Sequence, residues 1–150
     1  MATLKKFVPP VEFHPGITLS DKLKEMGMSV KEFAVRTSKP EKTIFAVIGG
    51  KSSVTSDMAV AFESVTKIPA HFWLNIQRGD DEYVARQKRE EQLATAYEWA
   101  RSFPLSKMME LGWIPTVNTA EEKVKALLSF FQVSTERAWG DYYLNQQLKV

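Results

Sequence analysis

The 150-residue chain contains no cysteine, which excludes disulfides, thiolate metal sites and cysteine nucleophiles. It holds only two histidines, His14 and His71, and no acidic cluster lies near His14 in the sequence. A packing or capping role is therefore expected for His14 rather than catalysis. No apolar run approaches 18 residues and no signal-peptide pattern is present, so a soluble cytoplasmic protein without membrane contact is expected. Neither sign of charge dominates. The formal net charge is +2; of 20 Lys/Arg, 11 fall in residues 1–80 and 9 in 81–150, against 8 and 10 of the 18 Asp/Glu. The mild positive tilt of the first half permits nucleic-acid binding without demanding it.

What the chain does have is helical punctuation. Hydrophobic residues make up 44% of it, enough for one core or two small ones. Residues 29–51 read as two short helices joined by a tight turn. Ser29 and Glu32 have capping-box spacing, and Phe33, Ala34 and Thr37 then share a face. The second helix is expected over Lys39 to Ile48, with Pro40 near its first position and Ile44, Val47 and Ile48 as its apolar stripe. Gly49-Gly50 closes it. Two such helices with so brief a link match a helix-turn-helix.

Ser29, Glu32, Phe33, Ala34, Thr43, Ile44, Val47, Ile48, Gly50 and Lys51 together resemble the phage-repressor (Xre-like) helix-turn-helix pattern. Upstream, His14-Pro15-Gly16 with Leu19, Leu23 and Gly27 is similar to the opening of HigA-type (VapI-like) antidote proteins of plasmid-maintenance modules. Thr55 to Leu74 is similar to the end of the same domain, so the resemblance spans about Phe13 to Gln77. It implies a five-helix phage-repressor-like helix-turn-helix domain; together with the helices read from periodicity, the expected fold is all-α, that domain followed by a long connector helix and a small helical C-terminal region. The expected divisions are a tail at 1–12, the DNA-binding domain at 13–80, the connector at 81–102 and the C-terminal region at 103–150. The chain departs from the pattern at Val30, Ser38, Lys39, Pro40 and Phe45, where the family usually has Gln, Gly, an apolar residue, Ser and often Ser.

The remaining helices follow from periodicity. One runs over Gly16 to Met26 on Ile17, Leu19, Leu23 and Met26. Another runs over Thr55 to Thr66, capped by Thr55 or Ser56, with Met58, Ala61, Phe62 and Val65 facing inward. A fifth opens at Pro69 and carries His71, Phe72, Trp73, Leu74 and Ile76. Asp80 to Ser102 reads as one long helix with Leu93, Ala96, Tyr97 and Ala100 along its second half; its basic patch Arg86 to Arg89 reads as a solvated face. Phe103-Pro104 marks a boundary, followed by a short helix to Leu111 with Met108 and Leu111 buried. Thr119 and Glu122 repeat the capping-box signature and start a helix through Phe131. Ser134 or Thr135 caps a last helix with Ala138, Trp139, Tyr142, Tyr143 and Leu148. The tail, with Lys5-Lys6 and Pro9-Pro10, is expected to have little structure of its own.

With the apolar stripe of the second helix turned inward, Glu41, Lys42, Thr43, Phe45 and Ala46 are left outside. The resemblance implies that these positions meet base edges. Lys42 can donate to guanine, Thr43 can bond a base or phosphate, Phe45 or Ala46 can touch a thymine methyl, and Glu41 can accept from cytosine N4. Lys39, Lys51, Ser52 and Ser53, at the helix ends, suit phosphate contacts. The resemblance also implies a homodimer on a double-stranded DNA operator and a HigB-type toxin as protein partner. Phe72, Trp73, Tyr97 and Trp139 are the candidate dimer or partner residues, with completion of the core as the alternative for Phe72 and Trp73.

Through Phe103 to Pro115 (FPLSKMMELGWIP) and Leu127 to Tyr143 (LLSFFQVSTERAWGDYY), the C-terminal half resembles the segment that follows the helix-turn-helix in long HigA-type regulators, which often continue into an ImmA/IrrE-like zinc peptidase. Residues 1–150 carry no His-Glu-x-x-His and no other zinc constellation. The chain is thus expected to be a non-enzyme without cofactor, either a short form or one that stops before a peptidase. The expected function is autoregulating transcriptional repression by an antitoxin. The alternative is a non-enzymatic protein-interaction module with a degenerate helix-turn-helix.

Overall fold

The structure is a computed structural model that describes residues 14–145; the expectations for the tail 1–12, for Phe13 and for Leu148 fall outside those residues. The fold is all-α, and no strand occurs among the described residues. In chain order the helices are α1 (Pro15–Met26), α2 (Val30–Thr37), α3 (Glu41–Ile48), α4 (Ser56–Thr66), α5 (Ala70–Thr95), α6 (Tyr97–Arg101), α7 (Leu105–Glu110), α8 (Ala120–Phe131) and α9 (Glu136–Trp139), followed by a π-helical turn, Gly140–Leu144. The chain divides into two compact units between Ala85 and Arg86.

In the first unit the helix ends are set by local chemistry. His14 caps α1: its Nδ1 accepts the Gly16 N–H at 2.9 Å. Gly27 ends α1 at φ +62°, where glycine pays no Cβ penalty. Ser29 caps α2 by accepting the Glu32 N–H, but Glu32 does not return the bond; its carboxylate takes Arg36 at 2.9 Å instead. The expected capping box is therefore half formed. Ser38 ends α2 in the left-handed region, at φ +56°, a conformation its Cβ makes costly by about 1–2 kcal/mol. Pro40 is the N-cap of α3 rather than its first residue, so the helix starts at Glu41, two residues later than periodicity suggests. Thr55 caps α4 through the Met58 N–H.

Helices α1 and α2 pack against α3, and α2 also packs against α4. Their shared core comprises Leu19, Leu23, Phe33, Ala34, Ile44, Val47, Val54, Met58, Ala59, Phe62 and Trp73. At its centre Phe33 and Phe62 lie 5.1 Å apart, and Phe62 meets Trp73 edge-on at 5.5 Å. Such pairs add about 0.5–1.5 kcal/mol to their burial. Ile17 and Met26, expected to join this core, are exposed.

The expected break between a fifth helix and a connector is absent. Helix α5 continues through Gly79, because one glycine costs only about 1 kcal/mol in a helix. Gln77 Nε2 donates to Asp81 Oδ1 at 2.8 Å across that point. The interruption comes instead at Ala96, which separates α5 from α6.

The second unit has its own core of Leu93, Ala96, Ala100, Met108, Ile114, Val124, Ala126, Leu127 and Leu128. Helix α8 packs on α6 and α9. It is launched by a complete capping box: Thr119 accepts the Glu122 N–H while Glu122 accepts that of Thr119. Trp99, Phe103, Phe131 and Trp139 form a cluster of edge-on and tilted rings, 5.2 to 6.5 Å apart. Leu111, expected to be buried, is 50% exposed. Helix α7 ends at Glu110, and the turn through Gly112 at φ +74° takes Leu111 off the apolar face.

Candidate functional site

The placement of α3 begins with a glycine. At Gly16, near the start of α1, a Cβ would meet the carbonyl oxygens of Val47 and Ile48 at 2.2 and 2.8 Å. Only a residue without a side chain allows the end of α3 to come this close. The approach also sets the positive end of α1 against the negative end of α3. On the other side Ile44 and Val47 are wholly buried, so the rotation of α3 about its axis is set by packing.

That rotation leaves Glu41, Lys42 and Phe45 exposed, with Thr43 and Ala46 half-buried beside them. None of the five residues expected on the outward side is buried. Phe45 is 55% exposed, a large apolar surface for so polar a setting. Lys42 and Lys51 form no ion pair among the described residues. Beyond the helix the N–H groups of Lys51 and Ser52 both bond back to the Ala46 carbonyl, at 2.8 and 3.1 Å. This folds the chain tightly at the end of α3, with Lys51 and Ser53 exposed and Ser52 half-buried.

Lys39 is differently placed from the other cations. Its Nζ is held by the carboxylate of Asp57, in the first turn of α4. From the sequence Asp57 reads only as a first-turn acid favoured by the helix dipole, since no local pattern links residues 18 apart. The scaffold residues Gln77 and Asp80 likewise act through partners far away in sequence, which no local pattern marks. Gln77, buried in α5, accepts the Val54 N–H through Oε1 at 2.8 Å, fixing the loop between α3 and α4. Asp80 Oδ2 lies 3.8 Å from His14 Nε2.

The four candidate interface residues differ in exposure and are divided between the two units. Phe72 is 47% exposed. Trp73, its neighbour, is wholly buried in the core of the first unit and has no surface to offer a partner, which corrects its placement at an interface. Tyr97 packs half-buried against the core of the second unit, and Trp139 is half-buried among Trp99, Phe103 and Phe131. Among the described residues no group of three or more His, Cys, Asp or Glu could hold a metal ion, and no helix is long and apolar enough to cross a membrane.

No protein-family model matches the chain, and no curated protein does. Solved structures do. One, assigned as an antidote protein of a plasmid maintenance system from Nostoc punctiforme, superposes with a TM-score of 0.54 at 29% identity, over 55% of this chain and 91% of that one. Another, an addiction module antidote protein of a HigA family from Coxiella burnetii, superposes with a TM-score of 0.51 at 28% identity, over 55% of this chain and 90% of that one.

Proposed function

We propose that this chain is a sequence-specific DNA-binding repressor, the antitoxin of a HigBA-type toxin–antitoxin module. In this reading it acts in the cytoplasm as a homodimer and represses its own operon by occupying a palindromic operator. Two copies of α3 enter successive major grooves, about 34 Å apart. Lys42, Thr43, Phe45, Ala46 and Glu41 meet base edges, while Lys51 and Ser52 hold phosphates. The observation that carries the reading is the outward side of α3: polar and apolar groups suited to base edges, on a helix whose rotation the core fixes. The two antidote proteins with similar structures support the antitoxin role and, with it, a toxin as protein partner. The protein acts by binding, not as an enzyme.

The test is a binding titration on promoter and random DNA at two salt concentrations. Lys42→Ala and Thr43→Ala are expected to abolish preference for the promoter fragment without changing the circular dichroism spectrum. Each good base contact discriminates by about 1–3 kcal/mol. If both variants bind the operator like the parent protein, α3 is not the reading element.

The exposure of Phe45 favours one other reading, a helix-turn-helix used for protein contact. That reading predicts weak, sequence-blind DNA binding that falls steeply with salt.

A further inference from the structure

The two ends of α3 differ in the charge they offer a phosphate. After its C-terminal end stands Lys51, exposed and without an ion pair among the described residues. Before its N-terminal end stands Lys39, but its side chain is only 20% exposed while that of its partner Asp57 is 79% exposed. An approaching polyanion therefore meets the carboxylate first and the ammonium behind it. Glu41, exposed in the first turn of α3, adds a second negative charge at the same end. A helix N-terminus would ordinarily attract phosphate; here two carboxylates oppose it.

We propose that Asp57 limits how tightly the protein holds DNA of any sequence: it occupies Lys39 and keeps the N-terminal end of α3 from gripping the phosphate backbone. The inference rests on the DNA-binding reading of α3 and deepens it. Phosphate contacts add affinity for every sequence equally, so one withheld lowers operator and random binding by the same factor and leaves discrimination to the base edges. Asp57 therefore lowers affinity for all DNA and leaves the ratio between operator and random DNA unchanged.

The experiment measures salt-dependent binding of the full chain to operator and random duplexes for the parent, Asp57→Asn, Asp57→Glu and Lys39→Met/Asp57→Asn. Asp57→Asn frees one lysine per subunit. The slope of log K against log salt should steepen by about 0.9 per subunit, and affinity for random DNA should rise severalfold at low salt. Asp57→Glu, which keeps the charge, should behave like the parent. The double variant should return to the parent slope, tying the gain to Lys39 rather than to an altered fold. An unchanged slope in Asp57→Asn overturns the proposal. If that variant is silent while Lys42→Ala still loses the operator, the reading of α3 stands and the role of Asp57 falls. If the parent protein binds no DNA at either salt, both fall.

Discussion

The backbone at Gly16 approaches the carbonyl oxygen of Val47 so closely that a Cβ there would lie 2.2 Å from it. Because the obstacle is backbone, no rotamer change relieves it. Gly16→Ala must push α1 and α3 apart, and is expected to destabilise the protein by about 1–3 kcal/mol or more. A urea denaturation series checks this. The same variant should lose operator binding beyond what its stability predicts, since the displaced element is α3.

Gln77 carries a second cross-chain tie. Replacing it with Leu keeps the volume near that of the native side chain but leaves the buried Val54 N–H without its acceptor. The expected cost is about 1–3 kcal/mol. Hydrogen exchange gives the specific readout: the Val54 amide should exchange much faster in Gln77→Leu, while amides in α8 keep their protection.

Phe72 and Trp73 are adjacent in sequence and opposite in consequence. Trp73→Ala empties the centre of the first core and should cost about 3–5 kcal/mol. Phe72→Ala removes a ring that is 47% exposed and lies outside the core, and should cost the single chain far less, about 0.5 kcal/mol. If Phe72 lies in a contact between two copies, sedimentation will show the dimer dissociating at higher protein concentration in Phe72→Ala. An unchanged sedimentation profile removes Phe72 from that contact.

Lys125 gives a pH signature to the second unit. Its Nζ bonds Glu121 at 2.6 Å and Glu90, on α5, at 3.4 Å. Its pKa is raised above the ordinary lysine value, chiefly by the hydrogen bond to Glu121; partial burial opposes the rise, while the charges of Glu121 and Glu90 and the weaker bond to Glu90 add to it. A lysine pKa raised on folding stabilises fully below its unfolded value. The contribution disappears as pH rises through the folded value. The side chain is 39% exposed, so solvent screening holds the effect to about 0.3–0.5 kcal/mol. The stability gap between the parent and Lys125→Met should therefore be present at pH 7 and close above the ordinary lysine pKa of 10.5.

Most of the first unit was legible because its signals are local. Ser29, Thr55 and Gly27 mark helix ends within one turn of themselves, and the 3.6-residue period of Ile44, Val47 and Ile48 is enough to say which side of α3 faces out. What escaped was either non-local or a matter of competing small energies. The Lys39–Asp57 pair and the Gln77–Val54 bond join residues 18 and 23 apart, and no sequence pattern encodes them. Gly79 does not end α5, because a single glycine costs little in a helix. Glu32 had the spacing of a capping box and took the (i, i+4) partner Arg36 instead. Trp73 sat in a run of aromatics that could face either way, and only the packed core shows which ring goes inside.

The distribution of indoles makes the two units optically distinguishable. Of the four tryptophans, Trp73 alone belongs to residues 1–85, while Trp99, Trp113 and Trp139 lie beyond. Fluorescence from the intact chain is therefore weighted toward the second unit, and a melting curve followed by total emission will under-represent the unit that carries α3. Replacing the three later tryptophans with phenylalanine would leave Trp73 as a private reporter, buried against Phe62, whose red shift on solvent exposure times the opening of the first unit by itself.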